Sequence, residues 1–455
     1  MKKKTIKKIE DWQKRYPKFI YEKYSYNISG KDLKIFFDFK IEPNIFFKPK
    51  IIIKNIDKKR LNQINQKLIN NLIFHLGLIE IPSYWKATCS PVIEIRADFL
   101  NAEQIKWWKD LIINGMGQFF YENKIDFTYS NFLKIRSLHR SDLWQSATGQ
   151  TCVKLKDRVL VPVGGGKDSI VTLELLKKEK KEINAFLVNP TKAAKEVLKV
   201  AGIKNPIVVK RTIDQTLLKL NKKGYLNGHT PFTAVLSFLA VFCAILFDYK
   251  NIIFSNEKSA DEGNVRYLGK MINHQWSKSS EFEKKFKNYC QKYLAKEINY
   301  FSLLRPYTEL EISRMFLKYP QYFSVFSSCN RGIKIGKRWC GNCPKCLFVY
   351  ATFYPFLEKK ELLKIFGRDI FENKKLLPTM KGLLGQGRVK PFECVGTKKE
   401  SLTAFYLSWQ KLKNLTFYPG GEKVKYPFLL EYFEKKILPK NSNLNGSIRD
   451  FLVLK

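Results

Sequence analysis

Apolar and polar positions alternate along this chain in two different rhythms. Leu33–Ile41 (LKIFFDFKI) and Lys50–Ile56 are short apolar runs, with Pro43 and Pro49 between them, and they predict strands. Leu61, Ile64, Leu68 and Leu72 then recur at helical spacing. Ile79–Pro91 (IEIPSYWKATCSP) mixes proline with polar and aromatic residues and is expected to be rich in turns. Asn101, with Gln104 three residues on, predicts a capping box opening the helix that carries Trp107 and Trp108. From residue 158 the rhythm changes. Strand runs at 158–163, 183–188, 206–210 and 251–255 alternate with helical patterns at 168–180, 191–201 and 231–247. After 347 the pattern is mainly helical, broken by GLLGQG (382–387) and PFECVGT (391–397).

The alternation predicts an α/β fold with a parallel sheet and helices on both faces. The expected organisation is an α+β N-terminal domain over 1–150, an α/β domain over 151–348 and a mainly helical region over 349–455. Ligands of open parallel sheets sit beyond the carboxyl ends of the strands. That directs attention to the glycine loop after 163, to Asn189-Pro190-Thr191, to Arg211-Thr212 and to Ser255-Asn256-Glu257-Lys258-Ser259.

The first of these is the most informative. Val159–Val163 leads into Gly164, Gly165 and Gly166, then Lys167, Asp168 and Ser169 open a helix. Glycines let backbone approach an anion, and free N–H groups at a helix start stabilise negative charge. Asp168 stands where a Walker loop needs Ser or Thr, and no third glycine completes a dinucleotide fingerprint. The run resembles the SGGxDS motif of the PP-loop ATP pyrophosphatases, with Gly164 in place of the leading serine. A carboxylate beside a triphosphate needs a cation between them, so Asp168 is a candidate magnesium ligand as well as a first-turn acid. Lys167 is either a phosphate contact or a solvated lysine.

Cysteine usage adds a second centre. Of nine cysteines, Cys329, Cys340, Cys343 and Cys346 form C-x10-C-x2-C-x2-C. Four thiolates close a tetrahedral zinc site of structural type, with an iron–sulfur cluster as the competing reading. Such a set points to a reducing cytoplasm rather than a secreted disulfide framework. Cys243 belongs to an apolar helix, and Cys152 and Cys290 carry no telling context. Cys89 (ATCSP) and Cys394 (FECVG) lie in turn-like segments and are candidate reactive thiols. His229 precedes a predicted helix, with Thr230 as its cap and Pro231 at its first position. The 82 basic against 41 acidic residues give a net charge of +41, dispersed rather than gathered in one arm. Nucleic acid is therefore not the expected partner. MKKKTIKKIEDW lacks the apolar core of a secretory signal, and Pro231–Phe247 is read as a core helix rather than a membrane span.

Taken together, PVGGGKDS (162–169), VNPTKAA (188–194), NGHTPF (227–232), FSNEKSADEGN (254–264), RWCGNCPKC (338–346) and KPFECVGT (390–397) resemble the UDP-N-acetylmuramoyl-L-alanyl-L-glutamate epimerase family. HLGLIEIPSYWKATCSP (75–91) extends the resemblance toward the N-terminus. In that family the loop begins with Gly. The resemblance implies ATP, magnesium and zinc, with carboxylate adenylation, release of AMP and pyrophosphate, and inversion of a terminal L-Glu for cell-wall synthesis. ATP contacts are expected from Gly164, Gly165, Gly166, Lys167, Asp168, Ser169, Asn189, Ser255, Asn256 and Glu257. Cys394 is the preferred proton-transfer residue, with Cys89, His229 and Glu257 as further candidates. A PP-loop enzyme modifying tRNA or a deazapurine is the alternative, since the four-cysteine pattern is similar to that of deazapurine nitrile synthases.

Overall fold

The computed structural model describes residues 9–137, 154–387, 389–416 and 426–441. Its strands are β1 (Lys18–Ser29), β2 (Asp32–Ile41), β3 (Ile45–Phe47), β4 (Lys50–Ile53), β5 (Val92–Ile95), β6 (Lys134–Ser137), β7 (Val159–Pro162), β8 (Ile183–Val188), β9 (Ile207–Thr212), β10 (Asn251–Phe254), β11 (Val265–Tyr267), β12 (Lys270–Ile272) and β13 (Asn299–Ser302). Eleven of them form one sheet in the order β13-β10-β7-β8-β9-β4-β2-β1-β5-β6, with β3 on β2, and β11-β12 is a separate hairpin. The run from β13 to β9 is parallel throughout. β9 meets β4 antiparallel, with Ile51 opposite Arg211, and this joins the N-terminal strands to the parallel ones.

The apolar strands work because both faces are covered. Side chains alternate between two cores with the strand period of two. Leu160, Phe186, Ile252 and Phe254 enter a core shared with the helices Gln66–Trp85 and Phe232–Phe247. Val159, Val161, Ala185, Leu187 and Ile253 enter the opposite core, with the helices Lys167–Lys178 and Pro344–Phe353. Phe232–Phe247 is almost wholly apolar and, beyond its first turn, largely buried, as the core-helix reading expects. No described helix is long and apolar enough to cross a membrane.

Two local expectations are corrected. The helix Gln66–Trp85 runs through Pro82, so Ile79–Trp85 is helical rather than turn. Proline forfeits one hydrogen bond, to the carbonyl four residues back, and burial of this segment on all sides outweighs that loss. Thr230 does not cap the next helix, which starts at Phe232 with Pro231 in the cap position and no side-chain cap. The Asn101–Gln104 capping box is present with both of its hydrogen bonds.

Candidate active site

Strand order fixes where a ligand belongs. β8 and β10 lie on opposite sides of β7, so the chain turns both ways from β7 and leaves a crevice beyond its carboxyl end. The glycine loop fills that end. Gly165 has φ of +91°, and a Cβ there would fall 2.7 Å from the Ala194 nitrogen. Glycine is the residue that tolerates both. Gly166 stands at the start of the helix Lys167–Lys178 with no side-chain cap, which leaves the first N–H groups open to a ligand. A cavity of about 250 Å³ lies against this turn. Gly164, Gly166, Asp168, Ser169, Ser255, Asn256 and Lys278 line it among others, and Phe186, Val188, Phe232 and Phe254 give it an apolar part. The Ser255 hydroxyl is buried without a partner among the described residues, as a polar group awaiting a ligand would be. Open amides, an orphaned hydroxyl and an apolar wall fit a nucleotide phosphate with its base.

The charges behind the loop form one network. Lys167 is fully buried, and its ammonium donates to Asp168 Oδ1 at 2.5 Å and to Glu309 Oε2. It is neither solvated nor part of the cavity wall. Burial opposes its charge, but the two carboxylates hold its pKa above the usual lysine value. Burial also opposes ionisation of Asp168, and the ammonium groups of Lys167, Lys345 and Lys278 outweigh it, so its pKa falls. An ionised Asp168 with part of its side chain in the cavity fits a magnesium ligand. Burial pushes Glu309 up to about 7 despite Lys167.

The KPFECVGT segment arrives beside this network from the far end of the chain. Asn264 holds it, with Nδ2 donating to the Pro391 carbonyl at 2.9 Å and its own carbonyl accepting from Lys390 N at 3.1 Å. Glu400 ties its other end, accepting from Thr397 N and from Glu309 N, each at 2.6 Å. Lys345 donates to the Cys394 carbonyl, and Lys278 donates to Cys394 Sγ at 3.3 Å. Lys278 thus touches the thiol and lines the cavity at once. Burial opposes its charge, but Cys394, Glu257 and Asp168 raise its pKa.

The other candidates are placed as follows. Glu257 is buried next to Asn256, and its carbonyl accepts from Arg305 at 2.9 Å. Asn189 uses its side chain to bridge the ends of β8 and β9, exchanging hydrogen bonds with the Arg211 backbone at 2.8 and 3.0 Å. It is not among the cavity residues. Cys89 is fully enclosed after the helix Gln66–Trp85, and burial pushes its thiol far up. His229 packs on His274 with ring centres 4.6 Å apart. Cys243 and Cys290 are buried, and Cys152 lies outside the described residues.

The four cysteines of the second centre converge. All four Sγ atoms lie within 4.8 Å of one another, with Cys329–Cys343 at 3.6 Å and Cys340–Cys346 at 3.8 Å. Thiolates about 2.3 Å from a tetrahedral zinc stand roughly 3.8 Å apart, so the donor set fits that ion. N–H groups of Gly332, Asn342 and Cys346 point at the sulfurs, at 3.1, 3.4 and 3.4 Å, as needed where thiolate charge collects. Lys345 sits between two of the ligands, and its contact with the Cys394 carbonyl ties this centre to the KPFECVGT segment.

Sequence reasoning missed Lys278, Glu309, Lys345 and His274. Lys345 carried a signal, being inside CPKC. The others are single polar residues on elements whose placement depends on the tertiary fold.

Residues 10–303 match the family model described as the MurL N-terminal domain, and residues 325–414 match the MurL C-terminal domain. A Xanthomonas oryzae pv. oryzae protein named UDP-N-acetyl-alpha-D-muramoyl-L-alanyl-L-glutamate epimerase is 35% identical over 350 residues, 76% of each chain. Proteins of the same name from Salinispora tropica and Micromonospora sp. are 40% identical over 253 residues, 55% of this chain and 55% and 56% of theirs. With both domains present in order and a named relative aligned over three quarters of its length, the chain belongs to the MurL family of UDP-N-acetylmuramoyl-L-alanyl-L-glutamate epimerases.

Proposed function

We propose that this protein inverts the terminal L-Glu of UDP-N-acetylmuramoyl-L-alanyl-L-glutamate to D-Glu, using ATP and releasing AMP and pyrophosphate. The observation that carries the reading is Lys278, which lines the cavity beside the glycine loop and donates to Cys394 Sγ, so in this reading one lysine links the activation site to the proton-transfer residue. The hydrogen on the α-carbon of a free carboxylate is hardly acidic, because its loss would put a second negative charge beside the first. Adenylation removes the first charge. A positioned side chain then takes the proton, its return from the other face inverts the centre, and attack of water on the acyl carbon breaks the bond to AMP and frees D-Glu. Inversion is nearly energy-neutral, so ATP cleavage supplies direction.

In this reading the PP-loop residues Gly164, Gly165, Gly166 and Ser169, with Ser255 and Asn256, hold ATP. Asp168 holds magnesium, and Lys167 and Glu309 fix Asp168 from behind. Cys394 transfers a proton, and Lys278 stabilises its thiolate. Zinc at Cys329, Cys340, Cys343 and Cys346 keeps Lys345 in place. The reaction belongs in the cytoplasm, where four thiols stay reduced. The relatives' names lend nothing to the tRNA or deazapurine alternative. The test is incubation with ATP, magnesium and the L,L-dipeptide substrate, followed by chiral analysis of the glutamate. D-Glu should appear with AMP and pyrophosphate. Pyrophosphate with unchanged L-Glu would overturn the reading.

A further inference from the structure

His274 follows β12 and belongs to no recognisable motif, yet its ring is oriented with unusual completeness. Its backbone N–H donates to Asn264 Oδ1 at 2.7 Å, and Asn264 is the residue that holds the Pro391 carbonyl. Its Nδ1 lies 2.5 Å from Gln118 Oε1. Gln118 Nε2 donates to Glu122 Oε1 at 2.8 Å, which fixes the amide with its oxygen toward the ring. An amide oxygen can only accept, so Nδ1 carries the proton and Nε2 keeps its lone pair. Among the described residues nothing hydrogen-bonds to Nε2. The ring lies tilted by 54° to that of Phe392, two residues before Cys394, with centres 6.4 Å apart, and Lys278 follows His274 by four residues.

His75 supplies the internal contrast. It is a packing histidine, with Nδ1 on the Asn71 carbonyl at 2.8 Å and Nε2 on the Tyr289 hydroxyl at 3.0 Å. Both of its nitrogens are satisfied. His274 instead has one nitrogen fixed by an acid–amide relay and the other left open, the arrangement of an oriented general base.

We propose that His274 is the second proton-transfer group of the inversion, acting on the face of the α-carbon opposite Cys394. This rests on the epimerase reading above. Nε2 takes the proton from the L-configured carbon, and the C–H electron pair moves into the activated carbonyl to give an enolate. The imidazolium so formed keeps its Nδ1–H on Gln118. The Cys394 thiol gives its proton to the other face, the electron pair returns to form the new C–H bond, and the thiolate left behind faces the Lys278 ammonium. Water then takes the imidazolium proton and reprotonates the thiolate, restoring both residues, and a second water attacks the acyl carbon, breaking its bond to the AMP oxygen to release the free D-Glu carboxylate and AMP.

The experiment runs the reaction in deuterated water with ATP, magnesium and the L,L-substrate. Chirality, α-deuterium and pyrophosphate are followed together. The parent should give D-Glu with deuterium at the α-carbon. His274→Asn keeps an N–H toward Gln118 but has no basic nitrogen. It should release pyrophosphate while inversion falls about 10²–10⁴-fold and α-exchange is lost. Cys394→Ala should exchange the α-hydrogen with configuration retained, because the first base survives and the acid does not. Inversion by His274→Asn at the parent rate, or α-exchange without inversion in that variant, overturns the assignment. If the parent itself makes pyrophosphate without inversion, the epimerase reading fails rather than this residue. Should His274→Asn fail to fold, Gln118→Leu leaves the imidazole and removes the acceptor that sets its tautomer. It should slow inversion and shift its pH profile while pyrophosphate release persists, and an unchanged profile overturns the proposal.

Discussion

Gly165→Ala is the sharpest probe of the loop. The new Cβ would fall 2.7 Å from the Ala194 nitrogen and 2.9 Å from the Ala193 carbonyl carbon, on a backbone with φ of +91°. A side chain at positive φ costs about 1–2 kcal/mol. The overlap is with backbone in the first turn of the helix Lys192–Val200, which cannot rotate aside as a side chain would. Overpacking of this kind adds about 1–3 kcal/mol. The total, about 2–5 kcal/mol, is a large share of a typical stability of about 5–15 kcal/mol. Gly164 is the control, because a Cβ there meets nothing within 4 Å, and Gly164→Ala should stay within about 0.5 kcal/mol. Gly166→Ala should fall between, since its Cβ meets the Ser328 hydroxyl at 2.8 Å, which can turn away. Urea midpoints and slopes for the three variants, with pyrophosphate release on each, give the comparison. Equal midpoints for Gly165→Ala and Gly164→Ala would refute the argument that close approach to Ala193 and Ala194 makes glycine necessary.

Elemental analysis should find one zinc per chain, and Cys343→Ser should lose it and aggregate, because such sites supply folding energy; stoichiometric iron with sulfide would sink this. Asp168→Ala should abolish turnover through loss of the magnesium link, and the parent's products should be AMP and pyrophosphate; ADP and orthophosphate in a coupled assay would mean the loop chemistry is misassigned. Burial lowers His229 to about 3 and His75 and His274 to about 4, from 6.5. Between about 4 and 6.5 the unfolded chain therefore binds more protons than the folded one, and this stabilisation is lost as pH falls through that window. Urea midpoints should rise with pH there, and a His229→Asn, His274→Asn double variant should flatten the rise; an unaltered slope would count against the buried neutral pair.

The parallel half of the fold was legible because β7, β8 and β10 are apolar on both faces, and such runs admit few other placements. The glycine loop was legible because its geometry is local. Pro82 misled because proline normally breaks a helix, and only the surrounding burial keeps this one intact. Cys394 could be nominated from its turn, but not its partner. Lys390 and Lys398 are its sequence neighbours, and the structure pairs Lys390 with Glu262 at 2.9 Å while Lys278 takes the thiol. The choice of Lys278 depends on a 3₁₀ turn, Trp276–Lys278, meeting a loop more than a hundred residues later. No periodicity in either segment encodes that meeting. His274 was invisible for the same reason, since Gln118 and Glu122 reach it from a separate helix.

The seam between β4 and β9 has a consequence for biosynthesis. β4 pairs on one edge with β2, which precedes it in the chain, but its other edge pairs with Ile207–Thr212, which leaves the ribosome much later. Until then Ile51–Ile53 presents unpaired amides and carbonyls along an apolar strand, flanked by Lys50 and Lys54. An open edge of that kind is a template for a neighbouring nascent chain. The N-terminal half is thus most exposed to misassembly while the glycine-loop half is still being made, and any pause in translation between residues 53 and 207 lengthens that exposure.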